Sequence, residues 1–158
     1  MLKCQNNTTD TDAELIEQKR SPRAARKYSL WDTTNDGNLR VAIRFQTTPN
    51  AFSKIEQGLI MDALGSMTSY VEGCIEFVDD TSTRRHWPYI LVRRYDSSNR
   101  YDSGCWSYVG NISRYSQSLN LGYGCMSKRT IQHEFLHALG FFHEQTRPDR
   151  DNYITGND

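Results

Sequence analysis

The eleven residues His133-Glu134-Phe135-Leu136-His137-Ala138-Leu139-Gly140-Phe141-Phe142-His143 decide how this chain is read. The first five follow the pattern His-Glu-x-x-His. On an α-helix, residues i and i+4 share a face, so His133 and His137 can aim their imidazoles at one ion. The 3.6-residue period turns Glu134 about 100° from His133, which lets its carboxylate reach a water beside the ion without being a ligand. Gly140 accounts for the third histidine. A continuing helix would carry residue 143 away along its axis. A glycine at the helix end takes φ > 0 at little cost and reverses the chain, so His143 folds back toward the ion. Three neutral histidines with an open fourth position form a catalytic zinc arrangement, whereas structural sites are closed by four protein ligands. His-Glu-x-x-His arises by chance in about one such chain in two hundred, and with a histidine six residues further on in roughly one in ten thousand. The remaining histidine, His86, has no ligand-type neighbours at useful spacing and reads as a loop residue.

The chemistry expected of this set is peptide-bond hydrolysis. Zn2+ bound by His133, His137 and His143 activates a water, and Glu134, as general base, takes its proton and passes it to the leaving amine. No covalent acyl-enzyme is required.

Working outward, Lys128 to Leu139 read as a helix closed by Gly140. Far upstream, Asn35-Asp36-Gly37-Asn38 is a turn signal. Leu39, Val41, Ile43 and Phe45 then alternate with polar or small residues, as in a half-buried strand, which Pro49-Asn50 ends. Ser53-Lys54-Ile55-Glu56 reads as a capping box. The helix it opens runs to about Tyr70, with Ile55, Leu59, Ile60, Leu64, Met67 and Val71 toward a core and Gly73 as a stop. Cys74–Val78, Tyr89–Arg93 and Trp106–Val109 are strand candidates. Strand, helix, several strands and helix in this order predict an α+β or mixed α/β domain.

At 158 residues the chain holds one domain with a sizeable core. Nineteen basic and nineteen acidic residues give zero net charge, which excludes a general nucleic-acid or anionic-membrane binder. Mean hydropathy is low at −0.73, but three Trp, nine Tyr and six Phe argue against disorder. No apolar run approaches the ~18 residues of a membrane span, and the first twenty residues lack the apolar core of a signal peptide. Cys4, Cys74, Cys105 and Cys125 allow two disulfides in three connectivities, and none belongs to a Cys-x-x-Cys pair. Asn-x-Ser/Thr triplets at Asn6, Asn7 and Asn111 mildly favour an extracellular setting. Residues 1–23 are polar and read either as a flexible solvated segment or as a piece removed at Arg20-Ser21-Pro22-Arg23, which would free Ala24 as a new N-terminus.

The stretch HEFLHALGFFHEQTRPDRDNY, residues 133–153, resembles the signature of the astacin family of zinc metalloendopeptidases, HExxHxxGFxHExxRxDRD. Every fixed position from His133 to Asp151 matches. Ser103-Gly104-Cys105-Trp106-Ser107-Tyr108-Val109-Gly110 and Gly73-Cys74-Ile75-Glu76-Phe77-Val78 are similar to that family too, and the likeness runs from about Tyr28 to the end. It implies the N-terminal subdomain of a metzincin-type α+β zinc peptidase, a twisted mixed sheet with two long helices. Residues 1–23 would be propeptide-like, and 24–158 the N-terminal part of the catalytic domain. It implies a Cys105–Cys125 disulfide, for which loop closure contributes roughly 3 kcal/mol. Trp106 and Tyr108 would lie on an edge strand over the cleft, where extended protein or peptide substrates add through backbone hydrogen bonds. Glu144 would meet the ammonium freed at Ala24, an electrostatic zymogen switch. Arg147, Asp149, Arg150 and Asp151 would brace the following turn.

The resemblance also implies a secreted enzyme. It has two departures. The family continues to a methionine-containing turn and a further tyrosine, so a C-terminal subdomain is expected to be missing here, and Cys74 either pairs with Cys4 or stays free. No FxGD-type blocking motif occurs in residues 1–23, where Asp10, Asp12 and Cys4 are the candidates. The competing expectation is a truncated, catalytically silent zinc-binding fragment.

Overall fold

The sheet is built around β1, Leu39–Phe45, as the alternation predicts. The structure, a computed structural model, describes residues 31, 37–48, 51–84, 88–96, 98, 100–113 and 115–143. Within it, β1 is followed by α1 (Lys54–Tyr70), β2 (Ile75–Asp79), β3 (Tyr89–Arg93), β4 (Cys105–Ser107), β5 (Ser116–Leu121) and α2 (Lys128–Ala138). The strands form one sheet in the order β2-β1-β3-β5-β4. Three neighbouring pairs are parallel, and β4 runs antiparallel to β5 at the edge. This is the mixed sheet with two helices that the α+β reading expects.

Both helices cover one face. Val41, Ile43, Phe45, Ile75, Ile90, Val92, Leu119 and Leu121 from the strands share a single core with Ile60, Leu64 and Met67 of α1 and Ile131, Phe135 and Ala138 of α2. Period-2 alternation on the strands and the 3.6-residue stripe on the helices supply the two sides of that layer. On the opposite face of β1 only Arg40 is exposed, so the half-buried reading of this strand holds at its start and is corrected beyond it. Ala42 and Arg44 are buried as well. A charged guanidinium survives there because Arg44 pairs with the buried Asp80 at 2.8 Å and lies 3.8 Å from the Tyr89 ring centroid.

The capping box at Ser53 forms as predicted: the Ser53 hydroxyl accepts the Glu56 N–H, and the Glu56 carboxylate accepts the Ser53 N–H. The predicted core face of α1 needs correction. Ile55 and Leu59 are 77% and 49% exposed, and the buried stripe is Ile60, Ala63, Leu64 and Met67. At 100° per residue Ile55 sits roughly 130° from that stripe, too far round to reach the sheet. β2 starts one residue later than predicted, β4 covers Cys105–Ser107 instead of Trp106–Val109, and β5 lies outside every strand candidate. Cys105 and Cys125 are bonded, with Cα atoms 5.7 Å apart. Cys74 is disulfide-bonded too, so it does not remain free. Among the described residues no helix is long and apolar enough to cross a membrane.

Candidate metal centre

Helix α2 carries the first two histidines. Ser127 caps it by accepting the Thr130 N–H, and the Cys105–Cys125 bond anchors the chain two residues before that cap. Ile131, Phe135 and Ala138 face the core, which fixes the rotation of the helix and leaves His133 and His137 on the outward side. Gly140 has φ +103°, a conformation that strains any other residue, and there the chain turns back. The Gly140 and Phe141 N–H groups donate to the carbonyls of His137 and Leu136, closing the helix end.

The turn brings His143 to the other two. The Nε2 atoms are 3.1 Å apart for His133 and His137, 3.1 Å for His133 and His143, and 2.9 Å for His137 and His143. His137 Nδ1 lies 2.7 Å from the Phe141 carbonyl oxygen. A carbonyl only accepts, so Nδ1 carries the proton, and in the neutral ring Nε2 keeps a lone pair. His137 Nε2 therefore has no proton to offer its neighbours, and the triangle is not closed by hydrogen bonds. Its form suits a cation. Zinc bonded at ~2.0–2.1 Å to three nitrogens in tetrahedral fashion holds them ~3.4 Å apart, a few tenths of an ångström from the distances seen. The Nδ1–H to carbonyl bond is the outer contact that orients a metal-binding imidazole.

Glu134 is 5% exposed and sits between the core and the histidines. Burial raises its carboxyl above the usual 4.5, and the nearby His133, His137 and His143 pull it down by less. The side chains of Trp106 and Tyr108 are placed by β4. Trp106 pairs with Asn120 across the strands, on the face away from the Leu119 and Leu121 that meet the helices. Its ring N–H donates to the Asp102 carboxylate at 3.2 Å, and the Arg93 guanidinium lies 5.0 Å from the ring. Tyr108 packs edge-on against Trp106 and is 46% exposed. Asn111 is buried and its carboxamide oxygen accepts the Ser113 N–H, so this acceptor-type triplet does not present its side chain. Glu144, Arg147, Asp149, Arg150 and Asp151, the segment 1–23 and His86 lie outside the described residues.

Contacts that no motif signals also hold the site. The Trp31 ring N–H donates to the Ala138 carbonyl at 2.8 Å across 107 positions of sequence. The Gly110 N–H donates to the His137 carbonyl at 2.8 Å. Gln132 Nε2 donates to the Ala63 carbonyl, joining α2 to α1. Pairings this remote depend on the finished fold, and nothing in local pattern marks them.

Known proteins carry the same features. The family model for astacin, a family of peptidases, matches residues 27–158. Blastula protease 10 of Paracentrotus lividus is 58% identical over 142 residues, which are 89% of this chain and 22% of that protein. Meprin A subunit beta of Rattus norvegicus is 64% identical over 53 residues, 34% of this chain and 8% of that protein. The chain thus spans less than a quarter of the length of these curated relatives. Among solved structures, high choriolytic enzyme 1, a hatching-enzyme zinc-protease of Oryzias latipes, superposes with a TM-score of 0.60 at 32% identity, covering 78% of this chain and 55% of that one. The signature in residues 133–151, the histidine triangle and a family match over most of the sequence agree: this chain belongs to the astacin family of peptidases.

Proposed function

We propose that the chain carries the zinc-binding part of a metalloendopeptidase catalytic domain, with His133, His137 and His143 as the ligands and Glu134 as general base. The observation that carries this reading is the convergence of three Nε2 atoms within 3.1 Å of one another, with a buried carboxyl next to them. When bound, zinc supplies Lewis-acid activation of water and of the scissile carbonyl. The protein's own part is to hold the ligands and move the proton. The His137 tautomer is set by the Phe141 carbonyl, so its Nε2 lone pair is always presented. Glu134 takes a proton from the attacking water and returns it to the leaving amine. A carboxyl raised by burial suits that exchange, because it binds the proton more readily and still gives it up.

Peptide and protein substrates follow from the family. Among the described residues β4 is the edge strand of the sheet, and its outer side offers backbone groups to an extended peptide, with Tyr108 exposed beside it. Residues 24–158 are assigned to the catalytic domain and 1–23 to a propeptide-like segment, in keeping with a family match that starts at residue 27. In this reading Glu144 pairs with the ammonium freed at Ala24, and the protein acts outside the cell, where the Cys105–Cys125 bond persists.

The test measures zinc content and cleavage of a quenched peptide library together, with and without chelator. One zinc per chain with chelator-sensitive cleavage supports the proposal. One zinc without cleavage supports the second reading, a zinc-binding chain that is catalytically silent by itself. Folded protein without zinc refutes both. Glu134→Gln is expected to keep the zinc and lose hydrolysis by about 10²–10⁴-fold; full activity in this variant removes Glu134 from its role.

A further inference from the structure

Strand β5 has one residue out of character. Gln117 occupies the helix-facing register of Leu119 and Leu121, where alternation calls for an apolar side chain, and it is buried. A buried carboxamide costs stability unless both ends are bonded. Both are: Nε2 donates to the Gly110 carbonyl at 2.9 Å, and Oε1 accepts the Ile112 N–H at 2.9 Å. The side chain thus clamps the loop after β4 from both sides. That loop in turn holds the helix. The Gly110 N–H donates to the His137 carbonyl, which also receives the Gly140 N–H, the turn that returns His143. A series of bonds runs from strand β5, through the single residue Gly110, to the backbone of one histidine and the turn carrying another.

An apolar residue at position 117 would fill the same space and leave the Gly110 carbonyl and the Ile112 N–H unpaired. Loop 110–112 would then be free to shift, and the His137 carbonyl would lose its outside donor. We propose that Gln117 is a positioning residue of the metal centre, acting through Gly110 on His137 and on the Gly140 turn. This rests on the reading of the three histidines as the zinc ligands.

The experiment measures zinc affinity by chelator competition, and the visible spectrum of the Co2+-loaded protein, in the full chain and in Gln117→Leu and Gln117→Met. Gln117→Leu removes both clamp bonds. Gln117→Met removes both as well, with a flexible apolar side chain of similar length, and it serves alone if the leucine variant does not fold. Leu64→Ala in the core under α1 is the control for general loss of stability. Expected are an approximately tenfold weaker zinc affinity and an altered Co2+ spectrum in both Gln117 variants, the range seen when outer contacts of a ligand are removed, with neither change in folded Leu64→Ala. Wild-type affinity and spectrum in folded Gln117→Leu or Gln117→Met overturn the proposal, as does an equal loss of affinity in Leu64→Ala, which would make Gln117 merely structural. Failure of the parent chain to bind zinc overturns the metal reading itself, and is told apart because it appears before any substitution.

Discussion

Helix α1 spans seventeen residues and meets the sheet through the stripe Ile60, Ala63, Leu64 and Met67, whereas α2 spans eleven and is tied down at both ends. At its start α2 has the Ser127 cap and the nearby Cys105–Cys125 bond; at its end the Trp31 ring and the Gly110 amide hold the Ala138 and His137 carbonyls. Apolar contact is non-directional and tolerates small displacements of a helix. Hydrogen bonds and a covalent link fix position along the axis and rotation about it. The helix that bears the histidines carries most of these directional ties, as expected where ligand atoms must be held to within about half an ångström.

The largest effects expected set the two helices apart directly. His137→Ala removes a proposed ligand and the bond to Phe141 together, and zinc affinity should fall by more than the about hundredfold limit of outer-contact changes, while thermal unfolding of the metal-free protein hardly moves. Leu64→Ala in α1 should do the reverse. The residue is fully buried, and its truncation should cost about 2–5 kcal/mol in denaturant unfolding, with zinc affinity of the folded fraction unchanged. Equal effects of both variants on both readouts would mean that the helices are not separable in this way.

The sequence displays these two kinds of attachment unequally. His133, His137 and the Gly140 turn are legible because local spacing dictates them, and the structure brings His143 to them as the turn requires. β1 and β3 are legible because apolar residues alternate or run together there. β5 is not. Its Ser116, Gln117, Ser118 and Asn120 look like loop, and they belong in a strand because Gln117 bonds Gly110 and Ile112 while Asn120 Nδ2 donates to the Asp102 and Gly104 carbonyls. The partners of Asn120 lie 18 and 16 residues away, and those of Gln117, though only seven and five away, carry no local pattern that marks a strand. Gly122 shows the same closeness: a Cβ there would collide with the Asp102 carbonyl oxygen, so the 102–104 loop rests directly on its backbone. The exposed Ile55 and Leu59 err in the opposite sense, apolar by type but on the wrong side of the helix.

An intermediate effect is expected of the covalent tie. Replacing Cys105 and Cys125 together by serine opens the 20-residue separation they close and should lower stability by roughly 3 kcal/mol. Because the bond joins the edge strand β4 to the start of α2, hydrogen exchange should rise in β4 and in the first turn of α2 and stay unchanged in α1. Uniform acceleration over both helices would show that the bond stabilises the whole domain and not the α2 side.

The smallest effect lies at the start of α1, where this helix has a directional tie of its own. Burial tends to raise the Glu56 carboxyl, but the Ser53 N–H, the Arg94 guanidinium and the Ser53 hydroxyl outweigh it, and its pKa falls below the usual 4.5. Arg94 reaches Glu56 at 2.8 Å and also donates to the Leu121 carbonyl, so the carboxylate links the first turn of α1 to the C-terminal end of β5. A depressed folded-state pKa means that the stabilisation is complete above the unfolded value, near 4.5, and is lost as pH falls through the folded value. Glu56→Gln should therefore be less stable than the parent by about 1 kcal/mol at neutral pH, the upper range for a partly exposed pair, and the gap should close below pH 4.5. Measuring both proteins with chelator present keeps metal loss out of the difference. A gap that persists unchanged at low pH would assign the whole contribution to the capping bonds at Ser53 and none to the Arg94 pair, so that charge plays no part in holding the start of α1.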